Sequence, residues 1–206
     1  MFKIIFILVL AYLLGSLMPG YWLGKVFYHK DIRTEGSGNI GTTNAFRILG
    51  PIPGTVVLVM DILKGALAGL LPYFFGLHDV NIMIVGLAAI LGHTFSIWIG
   101  FKGGKAVATS AGVLSVYNTP LFLMVCAIFI TCLILFSMVS VASMVGFTFA
   151  SFMSVLYYQD VILSIIAIVL TVFVFYRHRK NIGRILTGTE STIPFGLVYW
   201  FGKKNK

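Results

Sequence analysis

Apolar and polar positions fall along this chain in blocks. Long runs of Ile, Leu, Val, Phe, Met and Ala are separated by short segments of Gly, Asn, Pro, Ser and basic residues. Neither the strict alternation of a half-buried strand nor the short stripe of a surface helix describes that pattern. Runs of about 17–25 apolar residues are long enough to cross a bilayer as helices. They predict spans near Ile4–Leu23, Ile52–Phe75, Asn81–Ile99, Ala106–Tyr117, Leu121–Phe136, Val141–Tyr158 and Val161–Tyr176. The fourth and fifth are short and flank Asn118-Thr119-Pro120, a turn signal. Joined, they would be one broken helix and the parity would change; seven is the preferred count. The first run ends in Gly15, Ser16 and Gly20, small residues of the kind that signal cleavage sites use. Most of the nearby positive charge follows it (Lys25, Lys30, Arg33), so it is read as a retained span.

Composition narrows the class. Of 206 residues, 59% are hydrophobic and 10% charged, and the mean hydropathy is +1.00. Soluble domains carry about 25% charged residues, and a chain of this size hides only about 70% of its surface on folding. A soluble enzyme, a disordered tail and a water-exposed nucleic-acid binder are excluded. The fold class expected is an all-α polytopic membrane protein, a bundle of about seven helices. With no internal repeat or low-complexity stretch, residues 1–206 read as a single domain.

Fifteen Lys and Arg against six acids give a formal charge of +9. In a membrane chain such an excess first reports orientation. With seven spans and the N-terminus outside, the cytoplasmic segments are 24–50, 100–105, 137–140 and the C-terminal 177–206. They hold thirteen of the fifteen basic residues; Lys3 is outside and Lys64 lies within a span. The charge is thus a membrane-face signal and implies no nucleic-acid partner. Cys126 and Cys132 are six residues apart on one apolar stretch and read as buried thiols. Rows of small residues (Ser16, Gly20, Gly24; Ala142, Gly146, Ala150, Ser154) predict close helix packing in lipid.

Three polar clusters share the expected cytoplasmic face. The first runs from Glu35 to Arg47 and contains Gly36, Ser37, Gly38, Asn39, Gly41, Thr42, Thr43 and Asn44. Glycines let successive N–H groups converge on an anion, and hydroxyls and Arg47 complete a phosphate shell. The second, Gly92-His93 to Gly104-Lys105, places His93 and Ser96 one turn apart and then a Gly-rich turn with Lys102 and Lys105 at the start of the next helix. Helix N-termini attract anions. A Walker A reading fails, since Ile99 holds the opening glycine slot and Ala106 the hydroxyl slot. The third, Arg177 to Arg184, contains His178 and Asn181 at i, i+3. Three phosphate-friendly clusters on one face point to an anionic substrate.

Asp61 and Lys64, also at i, i+3, lie within the second span. A lone charge there costs about 2.5–3.5 kcal/mol, so the pair should face the interior, as structural glue or as part of the site. No H-x-x-x-x-D motif is present, because Trp98 stands five residues after His93. The acids, Glu190 among them, are scattered too widely to predict a metal site. A transporter for an anionic metabolite remains the competing class, although its site would be expected near the midplane.

The strings Gly36-Ser37-Gly38-Asn39-Ile40-Gly41-Thr42-Thr43-Asn44, Gly92-His93 through Gly103-Gly104-Lys105, and Arg177-His178-Arg179 through Asn181 and Leu186-Thr187-Gly188 resemble the bacterial acyl-phosphate:glycerol-3-phosphate acyltransferases, the PlsY family. That resemblance implies transfer of a fatty acyl group from acyl phosphate to the 1-hydroxyl of glycerol 3-phosphate. Lysophosphatidic acid and phosphate would be the products, in the first acylation step of phospholipid synthesis. It implies no cofactor and no metal, a bacterial cell (inner) membrane location with the active site facing the cytoplasm, contact with membrane lipid, and a functional link to the enzyme that makes acyl phosphate. Carried over by position, Ser37, Gly38 and Asn39 would cradle the acyl-phosphate's phosphate, with Thr43 in support. Arg47 and Lys105 would clamp glycerol 3-phosphate, and Asn44, His93, Ser140, His178 and Asn181 match further site positions. The hydroxyl's proton would pass to a substrate phosphate, to His178 or to His93. One departure is that the turn Ser137-Met138-Val139-Ser140 lacks the basic residues expected there.

Overall fold

A computed structural model describes residues 1–204; Lys206, counted above among the cytoplasmic cations, lies outside the described residues. Helices α1 (Phe2–Ser16), α2 (Pro19–Phe27), α3 (Thr42–Leu49), α4 (Pro51–Phe74), α5 (Ile82–Thr94) and α6 (Val107–Tyr117) are followed by α7 (Thr119–Phe136), α8 (Val139–Met153), α9 (Val161–Arg177), α10 (Arg179–Leu186) and α11 (Leu197–Lys204). The chain divides into two compact units, one spanning Met1–Thr119 and one beginning at Pro120.

Four stretches are long and apolar enough to cross a membrane: Pro51–Phe74, Ile82–Ile99, Thr119–Phe136 and Val139–Tyr158. Counting the bent pairs α1 with α2 and α9 with α10 as one span each gives six. The remaining run expected as a span, α6, has 11 residues. At about 1.5 Å per residue it reaches only about half of a hydrocarbon core of about 30 Å.

The first expected span, Ile4–Leu23, is corrected to two helices bent by 44°. Pro19 lacks the N–H that would continue the ladder and pushes Met18 off the helical region, to φ −115° and ψ 81°. The break is used: the hydroxyl of Ser96 donates to the carbonyl of Ser16 at 2.6 Å, and the ammonium of Lys64 to that of Leu17 at 2.6 Å. Both satisfy orphan carbonyls at the end of α1. The small-residue row Ser16, Gly20, Gly24 therefore does not run along one helix. Gly20 and Gly24 instead admit the backbone of the following loop, since a Cβ on either would press on the carbonyl oxygens of Ile40 and Lys30.

Close helix approach in the first unit comes from other glycines. A Cβ on Gly65 would overlap the Thr109 carbonyl, and one on Gly112 that of Ile62, so α4 and α6 meet backbone to backbone. In lipid, where apolar side chains gain little by leaving one neighbour for another, such contact is a main source of helix association. An apolar core of Met18, Tyr21, Ile32, Ile40, Ala45, Leu49, Val57 and Ile99 ties α2, α3 and α4 to both polar loops of this unit. In the second unit Asp160 caps α9, its carboxylate accepting from the amide of Leu163 at 2.9 Å. The chain then turns by 58° between α9 and α10, at His178.

Candidate active site

The first cluster folds as a loop ending in a short helix, with Asn44 as its organiser. Asn44 is 1% exposed. Its Oδ1 accepts from the amide of Ser37 at 2.9 Å, and its Nδ2 donates to the carbonyls of Ile32 at 2.8 Å and Glu35 at 3.0 Å. One side chain thus closes the loop on three backbone groups. Gly36 and Gly38 take φ values of +60° and +68°, left-handed conformations natural to glycine. The amide of Asn39 faces the Ser37 hydroxyl at 3.4 Å, and Asn39 Oδ1 accepts from the amide of Gly41 at 3.3 Å.

Thr42 and Thr43 open α3. The buried hydroxyl of Thr42 has no hydrogen-bond partner among the described residues. The sequence shows Thr42 as one of the cluster's hydroxyls, whereas the family resemblance points to Thr43. Arg47, in the last turn of α3, is exposed, and its stem runs beside Gly36. Upstream, Arg33 grips Asp31 through Nε at 2.9 Å and Nη2 at 2.6 Å. That guanidinium holds the Asp31 carboxyl down to about 2.

The second cluster lies at the end of α5. His93 is 3% exposed and Ser96 is fully buried. His93 Nδ1 lies 3.1 Å from Thr109 Oγ1 and 3.5 Å from Asp61 Oδ1. The carbonyls of His93 and Thr94 accept from the amides of Gly104 and Gly103 at 3.1 and 2.9 Å, and the Nε2 edge of the His93 ring lies so close to Gly104 that a Cβ there would overlap it. This double tie sets the turn before Lys105. Ala106 enters α6 at φ +57°.

In the second unit Ser140 and His178 are 4% and 3% exposed. His178 Nδ1 is 2.9 Å from the Val174 carbonyl; a carbonyl only accepts, so Nδ1 carries the ring proton and Nε2 is the ring's acceptor atom. Ser140 and Asn181 are brought together by Glu190. The Ser140 hydroxyl donates to Oε1 at 2.7 Å, Asn181 Nδ2 to the same oxygen at 2.6 Å, and Arg184 Nε to Oε2 at 2.7 Å. Burial alone would raise the Glu190 carboxyl, but the bonds from Asn181, Ser140 and Arg184 outweigh it and hold the group below the ordinary glutamate range.

Sequence reasoning missed Glu190, counting it among scattered acids. The available signal was its isolation, as the one acid after Asp160 in a stretch carrying seven basic residues. The departure at the Ser137–Ser140 turn also finds a cause. Ser137 is fully buried beneath the C-terminal segment: its carbonyl accepts from the amide of Ile193 at 2.8 Å and its hydroxyl from that of Tyr199 at 3.0 Å. A covered turn is no place for exposed cations.

Among the described residues no group of three or more His, Cys, Asp or Glu is placed to hold a metal ion. The arrangement offers backbone amides, amide side chains and a guanidinium, the groups that bind phosphate.

Comparison with known proteins agrees with this chemistry. Residues 5–188 match the family model described as glycerol-3-phosphate acyltransferase. The chain is 57% identical over 196 residues to the glycerol-3-phosphate acyltransferase of Lactiplantibacillus plantarum, covering 95% of this chain and 94% of that one. It is 57% identical over 206 residues to that of Limosilactobacillus reuteri, covering 100% and 98%. A crystal structure of the integral membrane glycerol 3-phosphate acyltransferase PlsY (YgiH) in its glycerol 3-phosphate form superposes with a TM-score of 0.86 at 35% identity, over 92% of this chain and 94% of that one. The lysophosphatidic acid form of the same protein gives 0.80.

Proposed function

The chain belongs to the glycerol-3-phosphate acyltransferase family, and on that premise we propose that its acyl donor is acyl phosphate. The reaction is direct. The 1-hydroxyl oxygen of glycerol 3-phosphate bonds to the acyl carbon, the bond from that carbon to the phosphate oxygen breaks, and phosphate departs with the electron pair. Lysophosphatidic acid and phosphate result. The hydroxyl proton passes to a substrate phosphate or to Nε2 of His178.

The observation that carries this reading is the state of the polar side chains. The Ser140 hydroxyl donates to a carboxylate already accepting from Asn181 and Arg184. A carboxylate held in its charged form by three donors is a poor base, and a serine bonded to it is not activated as a nucleophile. An already activated donor needs neither. Donors around the leaving phosphate and the developing oxyanion, with both substrates clamped, supply the rate.

In this reading Ser37, Gly38 and Asn39 receive the acyl-phosphate's phosphate, with Thr43 beside them and Asn44 shaping the loop. Arg47 and Lys105 hold glycerol 3-phosphate, and Ser140, His93, His178 and Asn181 serve the same reaction. Residues 1–206 are read as one acyltransferase domain with a bundle of about seven membrane helices in a bacterial cell (inner) membrane. The N-terminus lies outside, and the polar clusters and C-terminus face the cytoplasm, where an enzyme that makes acyl phosphate supplies the donor.

Detergent-purified protein given palmitoyl phosphate and glycerol 3-phosphate is expected to release phosphate and form lysophosphatidic acid only when both are present. Turnover with palmitoyl-CoA in place of palmitoyl phosphate would overturn the donor assignment. Absence of turnover with either, in folded protein, would favour a carrier of phosphorylated metabolites.

A further inference from the structure

Asp61 and Lys64 take no part in the reaction above, yet they lie beside groups that do. Lys64 has a clear task, capping the broken end of α1 through the Leu17 carbonyl. Its charge is met by Asp61, with Nζ 2.7 Å from Oδ1 and the two side chains 5% and 3% exposed. If neutralising Lys64 were the whole role of Asp61, its direction would be immaterial. The same Oδ1 also lies 3.5 Å from His93 Nδ1, and this buried oxygen takes no well-aligned hydrogen bond from either neighbour, so it acts on the ring through its charge.

A carboxylate only accepts, so its presence beside Nδ1 favours the imidazole tautomer protonated there. Thr109 Oγ1, 3.1 Å from the same nitrogen, can accept or donate and so is compatible with that tautomer. Nε2 is then the acceptor atom of the ring, and it is the Nε2 edge that packs against Gly104. With the His93 carbonyl bonded to the Gly104 amide, ring and backbone both bear on the turn that delivers Lys105. A buried charge on α4 is thereby joined to a substrate-binding loop through one side chain.

We propose that Asp61 is a positioning residue for glycerol 3-phosphate binding. It sets the tautomer and orientation of His93, and the ring in turn sets the Gly103-Gly104 turn that presents Lys105. Asp61 itself touches no substrate. The inference rests on the reading of Lys105 as a ligand for glycerol 3-phosphate.

The first measurement needs no variant. In wild-type protein labelled with 15N-histidine, the His93 ring, assigned by the signals lost in His93→Gln, is expected to show its proton on Nδ1. A proton on Nε2 overturns the proposal. The second uses the double variant Asp61→Asn, Lys64→Met, which removes both charges and so leaves no unpaired one buried. Its Asn amide can present a donor to Nδ1, so the His93 signals are expected to move toward the other tautomer. The KM for glycerol 3-phosphate should rise by about tenfold while that for palmitoyl phosphate stays within about twofold. Unchanged His93 signals with an unchanged KM for glycerol 3-phosphate would reduce Asp61 to a counter-ion and overturn the proposal. If wild-type protein turned over neither donor, the functional reading would fail instead, and the tautomer would still decide the structural half of the inference.

Discussion

The loop around Asn44 and the cluster around Glu190 organise similar polar groups by opposite means. In the first, a neutral amide bonds three backbone groups above an apolar core that includes Ile32, Ile40, Ala45 and Leu49. The charged member, Arg47, stands exposed and pairs with no carboxylate among the described residues. In the second, one carboxylate gathers the side chains of Ser140 on α8 and of Asn181 and Arg184 on α10, a helix that fully buries none of its residues. The first region separates the residue that shapes the loop, Asn44, from Arg47, the residue proposed to meet the ligand. The second uses a single ionisable group to hold two of the proposed site residues, Ser140 and Asn181, in place.

Substitutions in the first region should therefore split. Arg47→Ala removes a guanidinium that makes no ion pair with a carboxylate among the described residues, so kcat/KM is expected to fall by about 10²–10³ with the thermal midpoint nearly unchanged. Asn44→Ala removes three buried hydrogen bonds, each worth about 1 kcal/mol. Activity should fall, and amides 32–40 should exchange hydrogen faster than in wild type while α4 stays protected. If Arg47→Ala also opened the loop, the claimed separation of tasks would be wrong.

How much of this was legible in the sequence follows the same division. The apolar runs located all four helices that are long and apolar enough to cross a membrane among the described residues, because lipid demands long uninterrupted stretches. They did not reveal the break at Pro19, where a proline within an apolar run stops one helix and begins another, nor the short helices α3 and α10 inside polar segments. Glycine spacing announced the phosphate-friendly loop, since Gly36 and Gly38 need a backbone that glycine supplies most easily. The resemblance marks Asn44 as a site position, but its part in shaping the loop was hidden because it depends on carbonyls 12 and 9 positions away. Glu190 was unreadable for a stronger reason: its partner Ser140 is 50 residues distant, and a lone acid carries no spacing signal. Residue types that bind ligands announce themselves, whereas those that bind the fold are named only by their partners.

Glu190→Gln tests the second region. The amide keeps one acceptor oxygen but confronts the existing donors with an NH₂ group. Charge-assisted hydrogen bonds contribute about 1.5–3 kcal/mol, discounted at Arg184, whose side chain is 39% exposed. Activity is expected to drop by about tenfold to a hundredfold, and here the thermal midpoint should drop with it, unlike Arg47→Ala. The pH dependence has a definite sign. Because folding lowers the Glu190 pKa, its contribution is complete above the ordinary glutamate value of about 4.3 and is lost as pH falls through the lower folded value. Wild-type protein should lose thermal stability across that acid window, and Glu190→Gln should lose less. Equal acid sensitivity in both would remove Glu190 from its organising role.

The smallest effect belongs to the ion pair of Asp31 and Arg33, which looks strong by geometry. Arg33 Nε and Nη2 reach the two carboxylate oxygens at 2.9 and 2.6 Å, but the side chains are 38% and 26% exposed, and solvent screens such pairs to about 0–1 kcal/mol. Arg33 is also held over the Tyr21 ring at 4.5 Å, so removing its carboxylate leaves it partly placed. Asp31→Asn should keep the KM for glycerol 3-phosphate within about twofold and lower the thermal midpoint by no more than about 2 °C. Its small contribution is complete above the unfolded value of 3.8 and is lost as pH falls from there through the folded value of about 2, so Asp31→Asn should remove only a minor part of the acid sensitivity. A large loss of activity in Asp31→Asn would mean that charge, rather than the Asn44 amide and the core beneath it, holds the loop, and the two regions would then differ only in which carboxylate they use.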